Sequence, residues 1–467
     1  MPASLYDNFR IYNLNNFINS VNTNSIYLFT GRSKSWDDEN NPPNPIDNQQ
    51  YSTDAFDQII ALKKITFNDL IPVIQRNNWV SGKIYDMYRP NYTLGNSEGG
   101  STRYPLKLTS NGFSSLNYGS NYYVMNEFYQ VYKCLYNGET PENPNGVPST
   151  VVPTGIGTTP FVTSDGYRWK YLFTVPTFYV LNFLNESYIP IPYPNTAFPQ
   201  ESAITNSAVN GSIDTVVIKN RGSGYTNGNY TNIPIRGDGV GGTVRINISS
   251  GRINTVTITS AGSGYTYGKI DLSLEDVGSG LGADIEVVIP PTGGHGFNIS
   301  KELGAYRLMI HTNISLSDIN FPVDTAYRRI GLIANPIIRD TNTIATSSTL
   351  NGYGTITFTS TTGSYVIGEV IRQNDTNATG VVLSWDEDTN TLKYYQDRFD
   401  GVYQGNRIDF SGANVIKGLS SLTEGTPNQY TLLDIEKNGG DILYLDNRFV
   451  INRSQNQIED VKIVVEF

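Results

Sequence analysis

Ile213-Asp-Thr-Val-Val-Ile218 is followed by Gly222-Ser-Gly-Tyr-Thr226, and forty residues later the pattern returns as Ile253-Asn-Thr-Val-Thr-Ile258 and Gly262-Ser-Gly-Tyr-Thr266. In each copy an alternating run predicts a β-strand, and the Gly-Ser-Gly-Tyr stretch predicts a tight turn whose glycines need positive φ. One such unit cannot bury its own apolar face, so we expect the two copies to stack into one small domain. The structural turn residues of this repeat are Gly222, Gly224, Tyr225, Gly262, Gly264 and Tyr265.

The composition of the whole chain shows the same preference for β-structure. Of 467 residues, 44 are glycine and 32 are tyrosine, whereas charged residues make up only 16%. Tyr, Thr, Val and Ile favour strands, and Gly, Asn and Pro favour the turns between them. The chain is too long for one ordinary core and should divide into roughly two to four domains. We therefore predict a mainly β protein.

The charge balance narrows the range of partners. The chain carries 43 acidic and 33 basic residues, a formal net charge of −10. A nucleic-acid-binding protein normally presents a basic face to the phosphates. The basic residues here do not cluster beyond the pairs Lys63-Lys64 and Arg328-Arg329. We therefore expect that the chain binds neither nucleic acid nor membranes. Other proteins remain possible partners.

The single cysteine and the N-terminus indicate where the chain is made. Cys134 lies in an alternating stretch that predicts a buried strand position, and one cysteine cannot form an intramolecular disulfide. Residues 1–7 lack the basic and apolar regions of a signal peptide, and no apolar run approaches the length of a membrane span. We expect a soluble protein made in a cytoplasm.

Two motifs suggest bound nucleotides or ions, but one misses the required spacing and the other lacks a required glycine. The glycines of the repeat miss the spacing of phosphate-binding loops and lie between strands, which favours plain β-turns. Asp386, Asp388, Asn390 and Asp397 fall at calcium-loop positions, but Thr391 stands where that loop needs glycine. The flanking residues alternate like hairpin strands. We therefore predict a solvated acidic hairpin turn here, and no cofactor or metal.

Few residues could support catalysis. The only histidines are His295 and His311, so a Ser-His-Asp triad or a histidine-rich metal site would have to use one of them. His295 stands in a flexible glycine-rich segment that could be a loop site, whereas His311 is expected in a strand. The acidic pairs Asp37-Asp38-Glu39 and Glu459-Asp460 favour solvated loop charge, because a glycosidase needs two carboxyls facing each other across a cleft. We predict that the chain is not an enzyme.

Aromatic residues supply the candidate interface positions. Tyr and Trp are enriched in protein–protein interfaces, and they are equally common in the cores of sheets. Trp169 lies within an aromatic strand pattern and is expected in the core. For Trp36, in a polar loop, a core anchor and an interface anchor both stay open. We take Arg32, Trp36 and Trp79 as candidate interface residues.

The N-terminal region predicts two helices around a strand. Residues 7–19 place apolar side chains at helical intervals, and residues 25–30 form a short apolar β run. A second helix is predicted from about Ser52 to about Leu62, because Ser and Thr followed by Asp54 are typical of a helix N-terminus.

Composition shifts divide the rest of the chain into modules. The repeat insert is assigned to residues 207–290, and the prolines and glycines after it mark its end. A second, small β-barrel-like insert is assigned to residues 341–431. The remaining scaffold is discontinuous, comprising residues 1–206, 291–340 and 432–467. Its last stretches, 441–445 and 460–467, are predicted strands, and a terminal strand is usually paired into a sheet.

Four segments, in this order, together resemble one family. They are Ile26-Tyr-Leu-Phe-Thr-Gly-Arg-Ser-Lys-Ser-Trp36, Ser164-Asp-Gly-Tyr-Arg-Trp-Lys-Tyr-Leu-Phe-Thr-Val-Pro176, Tyr327-Arg-Arg-Ile-Gly-Leu-Ile-Ala-Asn-Pro336 and Gly440-Asp-Ile-Leu-Tyr-Leu-Asp-Asn-Arg448. The chain is similar in these segments to the baseplate wedge protein of T-even-type contractile-tailed bacteriophages. The likeness covers about 1–206, 291–340 and 432–467, and both inserts depart from the family's shorter pattern.

The resemblance implies a fold and a role. It implies a β-sandwich scaffold with a few helices in loops, to which the two small β inserts are added. It also implies a structural subunit of the virion that forms a homodimer in each of six wedges and contacts other wedge proteins. The baseplate so built would anchor the tail fibres and transmit the contraction trigger. Assembly is expected in the host cytoplasm.

Two other functions stay open at this point. Tyrosine-rich loops and glycine-rich repeats also suit a receptor- or glycan-binding tail adhesin, which predicts binding of glycans or cell surfaces by residues 207–290. A polysaccharide-degrading tail enzyme would need a cleft with two carboxylates, and the purified protein would release sugars from host envelope.

Overall fold

The structure is a computed structural model that describes residues 7–90, 122–193, 199–398 and 407–467. With 42% strand and 11% helix, it confirms the mainly β fold. The helices are α1 (Asp7–Ser20), α2 (Gln49–Asp57), α3 (Thr177–Asn182), α4 (Pro199–Ser207) and α5 (Ile299–Glu302). Short 3-10 turns lie at Phe67–Asp69 and Leu272–Leu274.

The strands up to residue 288 include those of the repeat. They are β1 (Ile26–Gly31), β2 (Ile59–Lys64), β3 (Leu70–Gln75), β4 (Tyr123–Met125), β5 (Gln130–Tyr136), β6 (Phe161–Val162), β7 (Arg168–Thr174), β8 (Tyr188–Pro190), β9 (Thr215–Ser223), β10 (Gly228–Pro234), β11 (Arg236–Gly237), β12 (Val240–Ser249), β13 (Arg252–Ser263), β14 (Gly268–Lys269) and β15 (Leu281–Val288).

The later strands run to the C-terminus. They are β16 (Arg307–Ile314), β17 (Thr325–Ala334), β18 (Thr349–Asn351), β19 (Gly354–Thr361), β20 (Val370–Gln373), β21 (Ala378–Asp386), β22 (Thr391–Tyr395), β23 (Ile416–Gly418), β24 (Glu424–Thr431), β25 (Asp441–Arg453) and β26 (Glu459–Glu466).

Internal contacts divide the chain into two compact units. The first unit comprises Met1–Asn15, Ile71–Met309 and Ile463–Phe467. The second comprises Asn16–Leu70 and Ile310–Lys462. The assignment of a scaffold and two inserts divides the chain differently and stays a prediction, as does the sandwich packing implied by the resemblance.

The core of the first unit is built on a four-stranded antiparallel sheet, in the order β4-β5-β7-β6. The expected core position of Trp169 is confirmed, since it is fully buried and its ring stacks on Tyr167 at 5.3 Å between centroids. Cys134 lies buried in β5, directly opposite Trp169 in the register of β5 and β7. Aromatic contacts of this kind add stabilisation beyond the area they bury.

The two copies of the repeat interlock within the first unit. The head strand of the first copy, β9, pairs with the tail strand of the second, β15. The tail strand of the first copy, β12, pairs in turn with the head strand of the second, β13. Each copy therefore completes the sheet of the other, which is the physical reason that two copies can share one apolar core.

The second unit contains a five-stranded sheet, in the order β18-β2-β1-β17-β25. Tyr27 and Phe29 of β1 bury their rings on one side of it, against residues of α2 and β2. The unit also contains a closed barrel of six antiparallel strands, β19-β22-β21-β20-β23-β24. The barrel spans residues 354–431, inside the segment that the sequence sets apart as the second insert.

The N-terminal elements correct one prediction. The first predicted helix and the following strand are confirmed as α1 and β1. The predicted bounds of the second helix are wrong, because α2 begins after Asn48 and ends at Asp57. The Asn48 side chain caps this helix by accepting from Tyr51 N at 2.7 Å. Residues 59–62 belong to β2. A short apolar run does not distinguish a helix from a buried strand, and pairing with β1 decides it here.

Candidate interaction surface

Arg32 and Trp36 stand in the loop between β1 and α2. Arg32 has a φ of +57°, and its guanidinium lies over the Trp36 ring, 3.8 Å from the centroid. The buried indole donates from Nε1 to the carbonyl of Arg448 at 2.9 Å. Burial and the neighbouring Arg329 lower the pKa of Arg32. The two side chains thus hold their own loop against β25, and their role in an interface stays a prediction.

Trp79 belongs to the first unit. It is half-buried and packs against the core formed around Trp169. Its indole Nε1 donates to the Ser149 hydroxyl at 3.1 Å. Because Trp79 is only partly buried, a partner could contact it, and its role in an interface stays a prediction.

The turn residues of the repeat share one geometry. Gly222, Gly224, Gly262 and Gly264 have φ between +60° and +81°. A Cβ on Gly222 would lie 2.7 Å from Ala283 N, and one on Gly262 would lie 2.5 Å from Gly242 N. These turns therefore need glycine for both backbone conformation and space.

The tyrosine rings of the turns are covered by glycines of the opposite copy. A Cβ on Gly280 would lie 2.3 Å from the Tyr225 ring, and one on Gly239 would lie 2.4 Å from the Tyr265 ring. The Tyr265 hydroxyl donates to Ile235 O at 2.9 Å and accepts from Gly242 N at 3.1 Å. These contacts give the turn residues a structural role in joining the two copies.

His295 lies in the loop before α5, where its side chain is buried in a charged cluster of the first unit. Lys133 Nζ, on β5, lies 2.6 Å from Glu302 Oε2 and 2.9 Å from His295 Nδ1. Gly296 N donates to Glu302 Oε1 at 2.7 Å. Burial and the Lys133 charge lower the pKa of His295 to about 4. Burial alone would raise the pKa of Glu302, but Lys133 and His295 bring it down to about 2.

This cluster links β5 to α5 inside the first unit. Lys133 and Glu302 are buried side chains from β5 and α5, and the Lys133 ammonium also lies over the Tyr88 ring at 3.8 Å. A buried lysine and glutamate of opposite charge stabilise each other while both are paired. The geometry therefore supports a structural role for His295.

The other titratable candidates are held in structural contacts. His311, in β16 as expected, pairs with Asp460. Glu39 binds Arg328 at 2.7 Å. Asp386 caps a hairpin turn between β21 and β22 by accepting from Asp388 N at 3.0 Å, which confirms the predicted hairpin.

In the part of the chain that the structure describes, His, Cys, Asp and Glu form no group of three that could hold a metal ion. Within the same residues, no helix combines the length and apolar character needed to cross a bilayer.

An exposed apolar surface lies on β25, the edge strand of the five-stranded sheet. We define the β25 surface as the side chains of Leu443, Tyr444, Asp446, Arg448, Phe449 and Val450. The exposed fractions of its apolar members are 47% for Leu443, 36% for Tyr444, 61% for Phe449 and 38% for Val450. Four exposed apolar side chains on one edge strand make it a candidate interaction site.

Irregular pairing with β17 creates this exposure. Leu332 pairs with Tyr444 and Ile333 with Ile442, so Leu443 is an extra residue at a bulge. Arg329 pairs with Asn447 and Tyr327 with Ile451, so residues 448–450 face Arg328 alone. A β-bulge redirects side chains away from the regular alternation of the strand.

Sequence reasoning did not find the β25 surface. Residues 441–445 are predicted as a strand, and the bulges depend on pairing with β17, more than a hundred residues earlier. One signal was present: the adjacent apolar residues Phe449 and Val450 break the alternation after Asp446-Asn447-Arg448.

Two comparisons with known proteins bear on the family. A family model described as Bacteriophage T4, Gp8 matches residues 3–145. The baseplate wedge protein gp8 of Enterobacteria phage T4 is 27% identical to this chain over 212 residues, which are 41% of this chain and 61% of the relative. The chain thus spans about three fifths of the length of that relative. The resemblance to the baseplate wedge protein family is confirmed.

Proposed function

We propose, from the relationship of this chain to the baseplate wedge protein family, that it is a structural subunit of a bacteriophage tail baseplate. The observation that carries the proposal is the family match over residues 3–145, which includes the Arg32–Trp36 loop. The 27% identity to the wedge protein of phage T4 supports the same role. The protein would be located in the virion, at the tail.

The finer role follows the resemblance. The chain forms a homodimer, contacts other wedge proteins in the baseplate of a contractile tail, and assembles in the host cytoplasm. In this position it helps to anchor the tail fibres and to transmit the trigger for contraction. It acts as a scaffold and not as an enzyme.

The physical features of the described residues support a scaffold. Buried ion pairs such as Lys133–Glu302 and the interlocked repeat fix the internal geometry of the first unit. The β25 surface exposes apolar side chains that a partner can cover. Permanent complexes bury such surfaces, typically over about 2,000 Å² in total.

Tail particles of the phage that encodes this chain provide the test. Tails purified from wild-type phage and from a deletion mutant are compared by mass spectrometry and negative-stain electron microscopy. We expect the chain in wild-type tails, and incomplete baseplates without it. A plasmid copy of the wild-type gene should restore assembly, which controls for polar effects of the deletion. Complete, functional tails that lack the chain would contradict the proposal.

A further inference from the structure

We propose that two copies of this chain dock on each other through the β25 surface, antiparallel about a two-fold axis near Asn447. The inference rests on the proposed homodimer and adds the surface that forms it. Its occupant is therefore a second copy of the same strand.

The order of side chains along β25 is self-complementary. Apolar Leu443 and Tyr444 precede Asp446, and Arg448 precedes apolar Phe449 and Val450. A two-fold axis at Asn447 reverses the strand, so Tyr444 of one copy would face Val450 of the other, with Leu443 and Phe449 one position to either side of this contact. A surface that matches itself after such a rotation is what a two-fold dimer requires.

Charge strengthens the argument for this occupant. Within one copy Arg448 Nη1 lies 3.0 Å from Asp446 Oδ2, and both side chains are partly exposed. In the antiparallel arrangement Asp446 of each copy would face Arg448 of the other, on both sides of the axis. Two symmetric ion pairs would thus flank Asn447 and fix the register, whereas like charges in this position would repel.

The contact is made by side chains rather than by an added strand. The bulges at Leu443 and at residues 448–450 interrupt the regular spacing of the edge. The carbonyl of Arg448, at the centre, already accepts from the Trp36 indole. Bulges are a common means of preventing edge-to-edge strand pairing. The same bulges turn Leu443, Phe449 and Val450 outwards, where they can pack across the axis.

Charge-reversal variants of the full chain test the surface. Asp446→Arg gives a copy with two basic residues at the axis, and Arg448→Asp gives a copy with two acidic residues. We expect wild-type protein to be a dimer by light scattering and sedimentation. We expect each variant alone to dissociate at least about 100-fold more readily, because each change acts twice across the axis. An equimolar mixture of the two variants should recover a heterodimer.

The exposed pair Lys417 and Glu424, 3.0 Å apart on the barrel, is the matched control. Lys417→Glu and Glu424→Lys should leave the dimer unchanged. For the apolar contact, Phe449→Glu should give monomers, whereas Leu419→Glu, at a similarly exposed position on the barrel, should not. Circular dichroism and thermal melting establish that each variant is folded.

The outcomes separate this inference from the proposed function. Dimers that persist in both charge variants and in Phe449→Glu would overturn the surface and leave the homodimer standing. A monomeric wild-type protein at tens of micromolar would overturn both the surface and the homodimer. Neither result bears on the presence of the chain in purified tails, which tests the baseplate role separately.

Discussion

Single buried charges determine much of the internal geometry. In the second unit, the buried Lys437 Nζ donates to the carbonyls of Phe56, Asp57 and Gly352 at 3.0, 2.9 and 3.3 Å. It thereby joins the C-terminal end of α2 to the start of the barrel. Burial lowers the pKa of Lys437 to about 7, although Asp57 and Asp397 oppose the shift. Arg398 and Arg407 lower it further.

This pKa predicts a pH dependence. The unfolded chain keeps the Lys437 proton to about pH 10.5, whereas the folded protein releases it near pH 7. Between these values the unfolded state binds more protons, so the free energy of unfolding should rise with pH by about 1.4 kcal/mol per unit from this group. Lys437→Met should lack that rise between pH 7 and 9, measured by urea unfolding. Equal slopes in both proteins would contradict the assignment.

A second prediction at this scale concerns Lys133. Lys133→Met leaves Glu302 buried without its cation, and breaking such a pair typically costs about 3–5 kcal/mol. We expect the free energy of unfolding to fall by that order in chemical denaturation. The control is Lys417→Met, which removes an exposed lysine and should change stability by less than about 1 kcal/mol. If Lys133→Met lowers the free energy of unfolding no more than Lys417→Met does, the cluster does not stabilise the link between β5 and α5.

At the scale of elements, the repeat provides its own matched pair. Tyr265 OH makes hydrogen bonds of 2.9 and 3.1 Å to the first copy, whereas Tyr225 OH accepts from Ala283 N at 3.4 Å. Tyr265→Phe should therefore cost about 1–3 kcal/mol, because it leaves a buried donor and a buried acceptor unpaired. Tyr225→Phe should cost less. Thermal unfolding of both variants measures the difference, and equal losses would contradict unequal bonding of the two turns.

The elements also show what sequence patterns can predict. The repeat, α1 and the hairpin at Asp386 follow from local periodicity and turn residues, which act over a few positions. The predicted C-terminal end of the second helix was wrong, because pairing with β1 makes residues 59–62 part of a strand. The bulges of β25 depend in the same way on β17, so the candidate surface could not be located from local patterns.

At the scale of the whole molecule, the predicted fold class and the resemblance to the family are confirmed. The β25 surface was not among the predicted interface residues. Composition predicts mainly β structure because strand- and turn-forming residues dominate. It does not predict that Lys133 meets Glu302, 169 residues away, since such contacts arise only from the folded arrangement. It likewise does not predict that the His295 side chain, in its glycine-rich loop, is buried beside Lys133.

A structural role for the whole molecule also predicts its behaviour in assembly. If the β25 surface carries a contact of the working baseplate, then a phage encoding Phe449→Glu should assemble fewer complete tails than one encoding Leu419→Glu. The expected loss follows because an acidic side chain replaces an exposed apolar contact at one surface and not at the other. Counting complete tails by electron microscopy measures the effect, and equal yields would argue against a role for this surface in assembly.

Electron cryomicroscopy of intact tails tests the baseplate assignment most directly. We predict density for this chain in every wedge of the baseplate, as pairs of copies related by a local two-fold axis. Tails in which the baseplate is fully accounted for by other proteins, with no density for this chain, would contradict the account.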